Sequence, residues 1–162
     1  MVNEMIRVGM ADAKITKNPG ILTTVGLGSC IGIVLYDSVS KIAGLVHIML
    51  PYSTNMSNST NKLKFADTGI EALIEIMTKE GANQKRLVSK IAGGAQMFST
   101  KINSDIMNIG LRNAAATKEV LNKLGIPIIA EDVGGTYGRT IEFYSENGKL
   151  LVKTIGYGTK FI

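Results

Sequence analysis

Two apolar runs separated by four residues constrain this chain more than anything else in it. Ile31–Asp37 reads Ile-Gly-Ile-Val-Leu-Tyr-Asp, and residues 42–50 read Ile-Ala-Gly-Leu-Val-His-Ile-Met-Leu, with Ser-Val-Ser-Lys between them. Both runs have the β-branched and large apolar composition of strands. So short a link cannot hold the crossover that parallel strands need, so the two runs must form an antiparallel hairpin. A turn centred near Val39 places residue 31 opposite about residue 47. Pro51 ends the second strand, because proline has no N–H for a sheet ladder.

The hairpin carries the chain's single cysteine and single histidine. Cys30 stands at the start of the first strand, behind Thr23-Thr24-Val25-Gly26-Leu27-Gly28-Ser29. His47 lies in the second strand, where Leu45, His47 and Met49 share one face and Val46, Ile48 and Leu50 the other. The first strand runs away from Cys30 and the second runs back, so thiol and imidazole come out as near neighbours.

The remainder reads as a mixture of strands with two long helices. Strand patterns occupy residues 5–8, 12–16 and 21–25, with a turn at Asn18-Pro19-Gly20. Residues 52–61 are polar and read as a surface loop, either a lid after the histidine strand or a plain connection. Leu63, Ala66, Ile70, Leu73, Ile74 and Met77 recur at helical spacing, which predicts an amphipathic helix over 61–80 stopped by Gly81. A strand follows at 87–92, then an irregular polar stretch at 97–108, a helix at 109–124 and a strand at 126–133. The continuously apolar centre of that last strand, Ile128-Ile129-Ala130, predicts burial on both faces. Residues 139–145 and 150–155 flank Asn147-Gly148, a strong hairpin signal. No linker or repeat interrupts the pattern, so residues 1–162 are expected to form one α/β domain.

Composition narrows the function. The chain is 45% hydrophobic and 19% charged, the balance of an ordered globular protein. One cysteine cannot close an internal disulfide, and one cysteine with one histidine is too few for a zinc-type site, so no metal is expected. No apolar run approaches membrane-spanning length, and residues 1–7 lack a secretory pattern, so a cytoplasmic protein without membrane insertion is expected. The net charge of +5 admits an acidic partner, but the basic residues are scattered except around 79–90. Nothing resembles the aromatic–basic interleaving of RNA-binding sheets, and nucleic acid is not expected.

A thiol and an imidazole are the smallest kit for cysteine nucleophilic catalysis. A thiol attacks as its thiolate, which a nearby imidazolium favours. Gly26, Gly28 and Ser29 let backbone approach a substrate and aim N–H groups at a developing oxyanion. Thr24, on the strand entering the turn, offers a hydroxyl or carbonyl to orient the imidazole. The residues alone leave a second reading open: His47 as a core histidine bonded to a backbone carbonyl, and Cys30 as a small buried hydrophobe.

Six stretches then carry a family resemblance. They are Thr24-Val25-Gly26-Leu27-Gly28-Ser29-Cys30, Ala43-Gly44-Leu45-Val46-His47-Ile48-Met49-Leu50-Pro51 and Lys64-Phe65-Ala66-Asp67. With them stand Lys90-Ile91-Ala92-Gly93-Gly94-Ala95-Gln96-Met97-Phe98, Asn108-Ile109-Gly110-Leu111-Arg112-Asn113 and Ala130-Glu131-Asp132-Val133-Gly134-Gly135. Together they resemble the CheD family of chemoreceptor glutamine deamidases in chemotaxis. The resemblance implies a layered α/β sandwich with a mostly antiparallel or mixed sheet, similar to the catalytic domain of cytotoxic necrotizing factor toxins. It implies hydrolysis of glutamine side-chain amides on chemoreceptor helices, with hydrolysis of glutamyl methyl esters in some members. It implies Cys30 as nucleophile, His47 as base and Thr24 as the third residue, no cofactor, and a CheC-type phosphatase as partner. Gly93 and Gly94 then serve tight turns or shape a groove for the receptor helix, and Phe98 is a core residue or a docking surface.

Overall fold

The predicted hairpin is the centre of the molecule. In the computed structural model, which describes residues 4–17, 19–54, 57, 60–97 and 108–162, ten strands and two α-helices are assigned. The first five strands are β1 (Glu4–Arg7), β2 (Ala13–Thr16), β3 (Gly20–Leu27), β4 (Ile31–Asp37) and β5 (Ile42–Ile48). Helix α1 (Ala66–Lys79), β6 (Val88–Gly93) and α2 (Ile109–Lys123) follow. β7 (Ile128–Val133), β8 (Arg139–Tyr144), β9 (Lys149–Thr154) and β10 (Gly158–Phe161) complete the fold.

Two mixed five-stranded sheets result. One has the order β1-β3-β8-β9-β10 and the other β2-β5-β4-β6-β7. β1 lies parallel to β3 and β7 parallel to β6, while the other neighbours run antiparallel. The second sheet is the middle layer. On one face Ile31, Ile33, Leu35, Val46 and Ile48 pack with Ile70, Leu73 and Met77 of α1 and Val120 and Leu121 of α2. On the other, Val34, Tyr36, Ala43 and Leu45 pack with Leu22, Ile141, Phe143, Leu150 and Val152 of the first sheet. Every residue of β4 and β5 is therefore buried. Covering both faces is why these strands read as unbroken apolar runs rather than alternating ones. Each fully buried Leu or Ile side chain contributes about 1.5–3 kcal/mol.

The turn end of the hairpin is held by one carboxylate. Asp37 is fully buried and accepts from Arg86 Nε at 2.8 Å and Nη2 at 2.7 Å, from Asn83 N at 2.9 Å and from Val39 N at 3.1 Å. The Arg86 guanidinium holds its pKa far below the usual carboxylate range.

Three expectations need correction, and one strand carried no signal in the sequence. Strand pairing matches Asp37 with Ile42, so Ile31 faces Ile48 and Gly32 faces His47, one residue from the expected register. The helix expected over 61–80 is broken at Phe65, whose backbone is extended (φ −111°, ψ 147°) and bridges Leu50; a short 3₁₀ turn, Lys62–Lys64, precedes it. β7 is not buried on both faces. It is the outermost strand beside β6, and Ile129 is 57% exposed. β10 was not anticipated: all four of its residues are exposed, so no apolar alternation marks it. Most of the stretch expected to be irregular, 98–107, lies outside the described residues, as do residues 55, 56, 58 and 59 of the loop considered as a lid.

Candidate active site

At the other end of the hairpin the two sheets approach each other across a glycine. Gly32 of β4 pairs with His47 of β5 on the face turned toward the first sheet. A Cβ at Gly32 would stand 2.8 Å from Ile141 Cδ1, 3.1 Å from Leu27 Cδ1 and 3.5 Å from Thr24 Cγ2. A side chain there would wedge the layers apart. With glycine, Thr24 of β3 reaches across, and its Oγ1 lies 2.8 Å from His47 Nδ1.

The proton positions in this contact follow from donor and acceptor counts. Thr24 Oγ1–H donates to the Val8 carbonyl at 2.7 Å. A hydroxyl has one proton and a carbonyl can only accept. Thr24 Oγ1 is thereby left as the acceptor for His47, which assigns the proton to Nδ1. The lone pair is then on Nε2. Nε2 is buried and has no hydrogen-bond partner among the described residues.

Cys30 lies on the same face as Gly32, two residues before it. Cys30 directly precedes Ile31, the last β4 residue paired with β5, and lies two residues from Gly32, which pairs with His47. The glycine turn ahead of it follows a register irregularity between Thr24 and Leu27, and Gly26 takes φ +70°. Gly28 donates its N–H to the Gly26 carbonyl at 3.0 Å, and Met97 lies against its Cα side. Behind the turn, Gly94 N–H donates to the Cys30 carbonyl and Ala95 N–H to the Gly28 carbonyl, each at 2.8 Å. Gly93, at φ +115°, abuts the Cys30 carbonyl so closely that a Cβ would sit 2.2 Å from it. The two glycines thus seat the backbone of the cysteine turn. Phe98 lies outside the described residues.

Burial sets the charge state. Cys30 is 8% exposed, and burial pushes its thiol pKa up, partly opposed by its own backbone N–H. His47 is fully buried, and burial pushes its pKa below the ordinary value of 6.5. Burial thus favours the neutral form of both the thiol and the imidazole. The structure thus brings Cys30, His47, Thr24, Gly28, Ser29, Gly93 and Gly94 to one end of the central sheet. It adds Val8, Gly32 and Asn113, which the sequence reading did not single out for function. A glycine interrupting an apolar strand was a visible signal for close approach at Gly32. Among the described residues no group of three or more His, Cys, Asp or Glu side chains gathers to hold a metal, and no helix is long and apolar enough to cross a membrane.

The fold and this end of it define a three-layered α/β protein with a buried thiol and an oriented imidazole where two sheets meet. The family described as CheD chemotactic sensory transduction matches residues 49–154. The chain is 76% identical over 162 residues, the full length of both chains, to a probable chemoreceptor glutamine deamidase CheD of Caldanaerobacter subterraneus subsp. tengcongensis. It is 54% identical over 161 residues to the protein of the same name from Lachnoclostridium phytofermentans, covering 99% of this chain and all of the relative. This chain belongs to the CheD family. The crystal structure of Neisseria meningitidis protein NMB0706 has a similar fold, with a TM-score of 0.53 at 7% identity over 83% of this chain and 65% of that one.

Proposed function

We propose that this chain hydrolyses the side-chain amide of glutamines on chemoreceptor helices, leaving glutamate, with Cys30 as nucleophile. The family and its relatives' names support the substrate class. The observation that carries the mechanism is the relay from the Val8 carbonyl through Thr24 to His47 Nδ1, which leaves a bare, buried Nε2 on the face that Cys30 shares.

Because burial favours a neutral thiol and a neutral imidazole, the reaction begins with proton transfer. Cys30 Sγ–H gives its proton to His47 Nε2 as sulfur attacks the amide carbon. The Nδ1–H to Thr24 bond supports the resulting imidazolium. The oxyanion falls to N–H groups of the cysteine turn. The Gly28 N–H is engaged by Gly26, so Ser29 and Cys30 supply the donors. The imidazolium returns its proton to the departing nitrogen, ammonia leaves, and a γ-glutamyl thioester remains. Nε2 then deprotonates a water that attacks the thioester, releasing glutamate and restoring the thiol. The same steps with methanol as leaving group hydrolyse a glutamyl methyl ester. Every proton is carried by Cys30, His47 or water, and the scheme uses no cofactor. The reading includes a cytoplasmic site of action and a CheC-type phosphatase as binding partner.

The test is mass spectrometry of receptor helical fragments incubated with the protein. Each converted glutamine gains about one dalton, as –NH₂ is replaced by –OH. Cys30→Ala is expected to keep its fold and abolish the gain. Continued turnover by Cys30→Ala overturns the assignment of the nucleophile. No gain with the unmutated protein, together with binding of a CheC-type phosphatase, makes the chain a binding module instead.

A further inference from the structure

Where β4 and β5 stop pairing, a side chain from α2 takes over. The ladder ends at Ile31 and Ile48. Beyond it the strands part. Met49 N–H turns to the Lys64 carbonyl at 2.8 Å, and the Cys30 carbonyl accepts from Gly94 at 2.8 Å. The chemistry proposed above is located at this fork, on backbone no longer tied strand to strand.

The first turn of α2 seats against the same place. Gly110 lies so close to the Gly94–Ala95 backbone that a Cβ there would stand 2.3 Å from the Ala95 carbonyl oxygen. Backbone-to-backbone contact at Gly110 brings the next position on that face, Asn113, into the fork. Asn113 is fully buried, and its Nδ2 donates to the Ser29 carbonyl at 2.9 Å and to the Met49 carbonyl at 2.9 Å. Both partners can only accept, so the orientation of the amide is determined. One donor is spent on the residue before Cys30 and the other on the second residue after His47.

We infer that Asn113 is a positioning residue for the Cys30–His47 pair, clamping the two strand ends at the separation that proton transfer requires. This rests on the proposed roles of Cys30 and His47. An apolar residue would leave two buried carbonyls without donors, and aspartate would set acceptors against acceptors. The arrangement also leaves Asn113 Oδ1 buried without a partner among the described residues, a cost accepted to keep both donors in place. Displacement of about 1 Å between reacting groups costs about 100-fold in rate.

The test compares Asn113→Asp with Leu121→Ala, a fully buried position two turns further along α2 that touches neither strand end in the bonds described above. Iodoacetamide alkylation of Cys30 across pH needs no receptor and reads the thiol–imidazole coupling directly. Asn113→Asp is expected to slow alkylation, alter its pH profile, and lower kcat about 100-fold with KM within about twofold. Leu121→Ala is expected to lose stability and leave these readouts unchanged. If Asn113→Asp does not fold, Asn113→Ala is measured in its place, below its own unfolding transition. Asn113 variants that alkylate and turn over like the unmutated protein, or lose no more than Leu121→Ala, overturn the inference. His47→Gln separates the two levels. If it leaves alkylation unchanged, the proposed coupling fails; if it slows alkylation and Asn113→Asp does not, only the clamp fails.

Discussion

The two ends of the β4–β5 hairpin bury polar groups in opposite ways. At the turn, the Asp37 carboxylate accepts from the Arg86 guanidinium and from backbone N–H groups of Val39 and Asn83. At the open end, His47 has one nitrogen bonded and the other bare, and Cys30 lies nearby with its neutral thiol form favoured by burial. A charge that is fully satisfied holds a turn shut. A neutral base with an unused lone pair is costly to bury and is ready to take a proton. The same pair of strands is thus tied off at one end and left reactive at the other.

That contrast is broken or sharpened by exchanging what each end loses. His47→Gln removes the base and is expected to cut kcat by about 10,000-fold, the upper range for a general acid–base group. Its unfolding midpoint should move less than that of any change at Asp37. A variant retaining more than a tenth of the activity contradicts the assignment of the base. Asp37→Ala is the converse. Losing its charge-assisted bonds should cost roughly 3 kcal/mol. For a chain of this size that lowers Tm by about 10 °C. Calorimetry measures the shift, and kcat measured well below the transition should stay within about twofold. A large fall in kcat there would mean that the turn end communicates with the chemistry.

Thr24→Val lies between these two. It keeps the shape and removes the hydroxyl that accepts from Nδ1 and donates to the Val8 carbonyl. The imidazole loses the bond that selects its tautomer, and the Val8 carbonyl loses a donor. A penalty of about 2 kcal/mol corresponds to roughly 30-fold in kcat. Thr24→Ser should recover most of it, since the hydroxyl is what the relay uses. If valine turns over like the unmutated protein, the relay plays no part; if serine is impaired as well as valine, packing of the methyl group contributes beside the hydroxyl.

How much of this was legible in the sequence depended on whether the signal was local. The hairpin was, because both runs are bounded by polar residues and buried on both faces. Its register slipped by one because pairing of Asp37 with Ile42 puts the centre between Val39 and Ser40, a matter of turn geometry. Thr24 facing His47 was suggested by triad logic, but the contact crosses between layers and depends on Gly32, whose meaning appears only once two sheets are stacked. Asn113 sits inside an amphipathic helix with nothing in the spacing to set it apart. β7 misled because three apolar residues in a row look the same on an edge strand as in the middle of a sheet. β10 left no trace because pairing with β9 alone places none of its residues in a core.

The smallest expected effect concerns pH, and its sign follows from burial. His47 works as a base only when neutral. Its folded pKa lies below 6.5, so protonation that would silence an ordinary histidine at that pH is deferred to more acid solution. Cys30 has its pKa raised, so the free protein enters the reaction as the thiol up to at least the ordinary value of 9.0. The kcat/KM profile, which reports the free enzyme, should therefore be flat from below 6.5 to near 9.0, with its acid limb on the low side. Stability follows the same window. The unfolded chain takes up a proton at histidine first as pH falls through 6.5, so the contribution of neutral His47 is present above that value and is lost toward its folded pKa. The buried thiol has the opposite sign: its contribution is complete below 9.0 and is lost as pH rises through its folded pKa. An alkaline limb centred well below 9.0, where an imidazolium would lose its proton, would mean that the open end of the hairpin holds a resting ion pair. The contrast with the Asp37 end would then collapse into two charged clusters of the same kind.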